Sequence, residues 1–210
     1  MKRRVVITGL GAITPIGNNA EEFWKGIKEG KCGIDEITHF DTTNYKVKLA
    51  AEVKGYNAEE HFDKRNAKRL DRYSQFAIVA AKEAWQDSKL DKETENMERV
   101  GVILGSGIGG LETIERESSN LFAKGPDRVS PMFIPMSIVN MAAGNVAIEL
   151  GIKGESISMV TACATGTHCI GESFHMIKHG YQDIVLAGGT EAPITPMGIS
   201  RFTNIKPLSQ

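Results

Sequence analysis

ESISMVTACATGTHCIGESFHMIKHGYQDIVLAGG, residues 155–189, is the stretch that decides the fold. Residues 155–161 alternate as a β-strand does, with successive side chains on opposite faces. Residues 163–179 place Ile170, Phe174 and Ile177 at helical spacing, which predicts an amphipathic helix with these on one face and Gly180 as its stop. DIVLA (183–187) is a short apolar run closed by Gly188 and Gly189 and reads as a strand buried on both faces. Strand, helix and strand in this order are the repeating unit of a parallel sheet.

The same alternation extends outward. RVGVIL (99–104) reads as a second buried strand, followed by the glycine turn GSGIGG (105–110) and a helix ending near Phe122. A proline-marked loop covers 126–135, and a helix fits 137–150 with Gly151 and Gly154 at its exit. Upstream, Phe76, Val79, Ala80 and Trp85 mark a helix over 70–88. RRVVIT (3–8) reads as a buried strand ending at Gly9. Asn18 and Asn19 precede a helix carrying Phe23, Trp24 and Ile27, with Gly30 as its stop, and residues 31–57 are irregular apart from a strand around 49–53. The predicted class is α/β, built on a largely parallel sheet.

The composition excludes several classes of function. With 210 residues, 41% of them apolar, the chain can bury a core. A formal net charge of -1 does not fit a nucleic-acid binder, which is usually basic. No apolar run approaches the roughly 20 residues that span a membrane, and MKRRVVITGLG lacks the apolar stretch of a signal peptide. Cys32, Cys163 and Cys169 form an odd set with no CxxC spacing, which argues against a disulfide framework or a zinc site. A reducing, cytoplasmic compartment is the default expectation.

Cys163 falls where the 155–161 strand gives way to the helix. A helix amino terminus offers free N–H groups and about half a positive charge. Such a place favours a thiolate and can hold an oxyanion formed during acyl transfer. Ala162, Ala164, Thr165 and Gly166 leave room for a long substrate to reach the sulfur. The competing reading is a small, inert, buried cysteine; Cys169, on a different face of the helix, and Cys32, in a loop, read as structural.

TACATGTHCIG (161–171) closely resembles the active-site segment of the β-ketoacyl-acyl carrier protein synthases. VVITGLGAITPIGN (5–18), VILGSGIGGLETIE (102–115), SPMFIPMSIVNMAAGNVAIELG (130–151) and DIVLAGGTEAPITPMGISRF (183–202) resemble other segments of that family in one continuous register. Thr161 and Gly166 resemble the type II enzymes. The resemblance implies that residues 1–210 are the amino-terminal half of a thiolase-like, layered α/β/α/β/α architecture. It implies transfer of an acyl chain from acyl carrier protein to Cys163. Decarboxylative condensation with malonyl-acyl carrier protein then gives a β-ketoacyl-acyl carrier protein, with no metal or organic cofactor. It also implies a homodimer whose interface lies along the strand before Cys163. The family's paired histidines, its lysine and its second oxyanion N–H belong to the other half. None of His39, His61, His168, His175 and His179 falls in a family histidine motif, so condensation by these residues alone is not expected. A chain without its other half is expected to expose an apolar face and to self-associate.

By the same resemblance, Ile108 lines the acyl pocket and sets how far the chain enters, and Phe202 stands beside the nucleophile. Phe133 and Ile134 border the partner subunit's acyl pocket. Lys64, Arg65, Lys68, Arg69, Arg128 and Lys206 match a basic patch that docks the acidic carrier protein. Asp127 departs from the basic residue some relatives have there. Read without the family, such a charge run is a solvated face.

Three rival readings stand beside this one. GSGIGG matches G-x-G-x-x-G between a strand and a helix, as in a dinucleotide-binding oxidoreductase, but the strand and acidic residue due about 20 residues later are replaced by the proline-marked loop. His168, Glu172, His175 and His179 share a helical face on which a metal could sit, but no other ligand cluster supports a site, and the polar side of an amphipathic helix is the preferred reading. Finally, the chain can be a non-catalytic partner that dimerises or binds carrier protein. Relatives of that kind lack the cysteine.

Overall fold

The computed structural model describes residues 3–205 and residue 208. Asn19 opens α1 (Ala20–Lys28), its side chain accepting the Glu22 N–H and satisfying one of the amides a helix start leaves free. β1 (Asp35–Glu36) and β2 (Leu49–Ala50) form a short antiparallel pair. Asp63 caps α2 (Lys64–Ala67), and Asp71 caps α3 (Arg72–Asp87). Then follow β3 (Val100–Gly105), α4 (Leu111–Lys124), α5 (Phe133–Ser137), α6 (Met141–Leu150), β4 (Ser156–Ile157), α7 (Thr165–His179), β5 (Ile184–Gly189) and α8 (Pro196–Asn204).

β3 runs between β4 and β5 and is parallel to both. Every residue of β3 is buried, as a central parallel strand covered on both faces requires. One face of the sheet packs on α3 and α6: Tyr73, Ala77, Ala81 and Trp85 meet Ala142, Val146 and Leu150 over Val100, Val102 and Leu104. α7 covers the other face. Its buried residues are Thr165, Cys169 and Ser173, one per turn. Small side chains let the helix come close: a Cβ added to Gly189 of β5 would lie 2.9 Å from the Cα of Gly166. Burial pushes the Cys169 thiol up from its ordinary pKa, which makes it a poor nucleophile.

Five expectations are corrected. DIVLA forms a parallel strand, β5, but is not buried on both faces: none of its residues is buried and Ala187 is exposed, because β5 stands at the edge of the three-stranded sheet. The α7 face predicted to be buried is turned outward, with Ile170 54% and Phe174 40% exposed, because the close approach at Gly166 and Gly189 admits only the small-residue face to the sheet. RRVVIT (3–8) forms no strand among the described residues, and Val6 and Ile7 are 57% and 80% exposed. Just beyond it, the chain is taken up by α3 instead. Leu10 and Ala12 donate their N–H groups to the carboxylates of Asp87 (2.9 Å) and Glu83 (2.8 Å), and Gly9 and Gly11 lie against the carbonyls of Ala84 and Ala80. A cavity of about 450 Å³ separates this segment from β5.

The helix expected over 137–150 is split. Ile138 is extended, and its carbonyl accepts the hydroxyl of fully buried Tyr73 at 2.6 Å instead of continuing a helix. The proline-marked loop accordingly contains α5 and a 3-10 turn over Pro126–Arg128. The strand expected over 155–161 pairs with β3 only at Ser156–Ile157.

Asp183 holds the start of β5 in place. It takes two hydrogen bonds from Arg99, at Nε and Nη2, each 2.9 Å, and pairs with Arg3. Arg99, with Arg3, holds its carboxyl well below the usual carboxylate range.

Gly189→Ala must push α7 away from the sheet, and a loss of about 1–3 kcal/mol is expected, typical of overpacking. Gly188 has open space around its Cβ position, so Gly188→Ala is expected to cost less than about 0.5 kcal/mol. Urea midpoints at unchanged slope measure both. Equal costs would contradict the close contact.

Candidate active site

Cys163 stands in a 3-10 turn, Ala162–Ala164, between β4 and α7, and it is exposed. The helix therefore begins two residues later than the spacing predicts, and the thiol precedes its first turn instead of opening it. The turn is strained. Ala162 has φ +51, a left-handed conformation that residues with a Cβ rarely adopt. Neighbouring bonds hold it there: Thr161 donates its N–H to Thr165 Oγ1 at 2.9 Å, and Ala164 donates its N–H to the Thr161 carbonyl at 3.1 Å. Thr161 Oγ1 also lies 3.3 Å from His168 Nδ1. The Cys163 N–H has no acceptor among the described residues, so it is available to a ligand.

The thiol opens on a cavity of about 490 Å³ lined by Gly107, Ile108, Ala162, Gly166, Glu191 and Phe202 among others. Ile108 and Phe202 are thus brought together at Cys163 from the turn after β3 and from α8. Phe133 and Ile134 are not; they open α5, away from this cavity, and Ile134 is 56% exposed.

The 105–110 turn is held by a residue that the sequence alone did not single out. Glu191, just past β5, accepts the Ser106 hydroxyl (2.8 Å) and the N–H groups of Gly107 (2.8 Å) and Ile108 (3.2 Å). Those are amides a dinucleotide phosphate would need, so the glycine turn is already occupied by a carboxylate of the chain itself. The only signal for Glu191 is an acidic residue directly after the GGT that follows a short apolar run.

The basic residues are exposed. Lys64 and Arg65 lie in α2, Lys68 is its C-cap, Arg69 follows, and Arg128 lies in the turn after α4. None has an ion-pair partner among the described residues. Lys68 and Ser130, two residues past Arg128, line one polar cavity of about 660 Å³. Lys206 lies outside the described residues. On α7, His168 is 3.7 Å from Glu172, and His175 stacks on His179. No group of three or more His, Cys, Asp or Glu that could hold a metal occurs among the described residues.

Residues 2–210 match the family model described as the beta-ketoacyl synthase N-terminal domain. The chain is 52% identical over 207 residues to 3-oxoacyl-acyl-carrier-protein synthase 2 of Staphylococcus aureus, covering 99% of this chain and 50% of that protein. Its identity to the protein of the same name from Synechocystis is 46% over 208 residues, again 99% of this chain and 50% of the relative. The chain thus spans about half the length of the curated relatives it matches. Among solved structures, the ishigamide ketosynthase/chain length factor superposes with a TM-score of 0.89 at 29% identity, covering 100% of this chain and 52% of that one. The family model over residues 2–210 and the 52% identity show that the chain belongs to the β-ketoacyl synthase family and corresponds to its amino-terminal domain.

Proposed function

We propose that residues 1–210 form the acyl-accepting, thiolase-like half of a condensing enzyme of type II fatty acid synthesis, with Cys163 as nucleophile. The observation that carries this reading is the exposed thiol on a strained turn, at the mouth of a cavity faced by Ile108 and Phe202. The Cys163 sulfur attacks the carbonyl of an acyl-carrier thioester. The tetrahedral oxyanion is held by the free Cys163 N–H, and collapse expels the carrier thiolate, leaving the acyl group on Cys163. The apolar walls take the acyl chain out of water, worth about 0.8 kcal/mol per buried methylene.

Malonyl-acyl carrier protein would then lose carbon dioxide, and its carbanion would attack the Cys163 thioester to release a β-ketoacyl-acyl carrier protein. The histidines for that step belong to the other half of the family's architecture. Lys64, Arg65, Lys68, Arg69, Arg128 and Lys206 would dock the acidic carrier protein. The exposure of the first five, which have no ion-pair partner among the described residues, supports this. Phe133 and Ile134 would border the acyl pocket of a second subunit in a homodimer, which fits the exposure of Ile134. All cysteines are free, as in a cytoplasmic enzyme, and no described helix is long and apolar enough to cross a membrane.

Two outcomes are expected. Incubation with an acyl-carrier protein thioester adds one acyl mass to the parent chain and none to Cys163→Ser. A folded parent that gains nothing would contradict a working acyl site in these residues. With a small alkylating reagent near neutral pH, Cys163 reacts faster than Cys32, and buried Cys169 at least about a hundredfold slower than either. Peptide mass spectrometry gives the order.

A further inference from the structure

We infer that Glu191 is the positioning residue that shapes the chain-binding cavity and so selects which acyl lengths reach Cys163, an inference that rests on reading that cavity as an acyl site. One Glu191 oxygen accepts the Ser106 hydroxyl, and the other accepts the Gly107 and Ile108 N–H groups. Ser106, almost fully buried, accepts the Gly109 N–H in turn at 2.8 Å. Residues 106–109 are therefore tied to one carboxylate, through bonds that ionisation strengthens.

The turn is also confined at Gly107. A Cβ on Gly107 would lie 3.0 Å from Glu191 Oε2 and 3.4 Å from the Cα of Ala162, the strained neighbour of Cys163. The carboxylate and the cysteine turn thus both close in on the same side of Gly107, and a Cβ fits there only if one of them gives way. The length of the Glu191 side chain sets the distance between Ile108 and the thiol. No hydrogen bond joins Glu191 to Cys163, and its oxygens are committed to the loop. Its effect on the thiol therefore runs through Ile108.

N-ethyl- and N-octylmaleimide report this without any acyl transfer. The thiolate adds to the ring double bond, forming a carbon–sulfur bond, and the resulting carbanion takes a proton from water. The octyl-to-ethyl rate ratio at Cys163 is read by peptide mass spectrometry, with exposed Cys32 as internal reference. In the parent the ratio at Cys163 exceeds that at Cys32. Glu191→Ala is expected to lower it about tenfold, as small misplacements do at reacting centres. Glu191→Gln, which keeps an acceptor oxygen, stays within about threefold of the parent.

A folded Glu191→Ala chain with the parental ratio overturns the positioning role and leaves the acyl site standing. A parent with no octyl preference at Cys163 overturns both. Should the alanine variant not fold, Ser106→Ala removes one of the three donors and is expected to lower the ratio about threefold; an unchanged ratio there also overturns the proposal.

Discussion

The contact of Gly166 with Gly189 governs the rest of the molecule. It lets α7 lie on β5 with almost no side chain between them, so only Thr165, Cys169 and Ser173 fit against the sheet. A helix held that closely cannot begin where the strand ends. The chain must turn sharply first, and the turn places Ala162 in a conformation that costs on the order of 1–2 kcal/mol. Cys163 is the residue this turn pushes outward. Its exposure follows from backbone packing, and packing of the core offsets the strain.

A second constraint comes from the opposite side of the cavity. The β3–β5 pairing runs the full length of both strands, from Val100 opposite Ile184 to Gly105 opposite Gly189. Both strands therefore end at the same level, and the segments that follow, 106–110 and 190–194, leave the sheet side by side. That is how Glu191 comes to hold the glycine turn and how Ile108 comes to face the thiol. Thr190 continues the register, donating its N–H to the Gly105 carbonyl at 3.0 Å and its hydroxyl to the Tyr73 carbonyl at 2.7 Å. The site is thus anchored to the buried Tyr73 end of α3.

The parts that were legible in the sequence are those decided by local pattern. RVGVIL announces a buried parallel strand because both of its faces are covered, DIVLA is legible as a parallel strand though not as a buried one, and Cys163 stands out because strand pattern gives way to helix pattern beside it. The parts that were not legible depend on partners far along the chain. RRVVIT has strand composition, but the carboxylates of Glu83 and Asp87 capture the amides that follow it. Ile138 lies inside a helical pattern, yet its carbonyl is claimed by Tyr73. Ile170 and Phe174 have the periodicity of a buried face, but periodicity does not say which face small glycines will admit. Glu191 carries no motif, and its role exists only once β3 and β5 are paired.

The central claim is that this turn makes Cys163 the acyl acceptor of a condensing enzyme. The most direct test is acyl transfer to this chain from an acyl-carrier protein thioester, with the free carrier thiol as the product measured and Cys163→Ala beside it. The account predicts product from the parent and a loss of at least about a thousandfold in the variant, as for removal of a covalent nucleophile. Undiminished product from Cys163→Ala would contradict it.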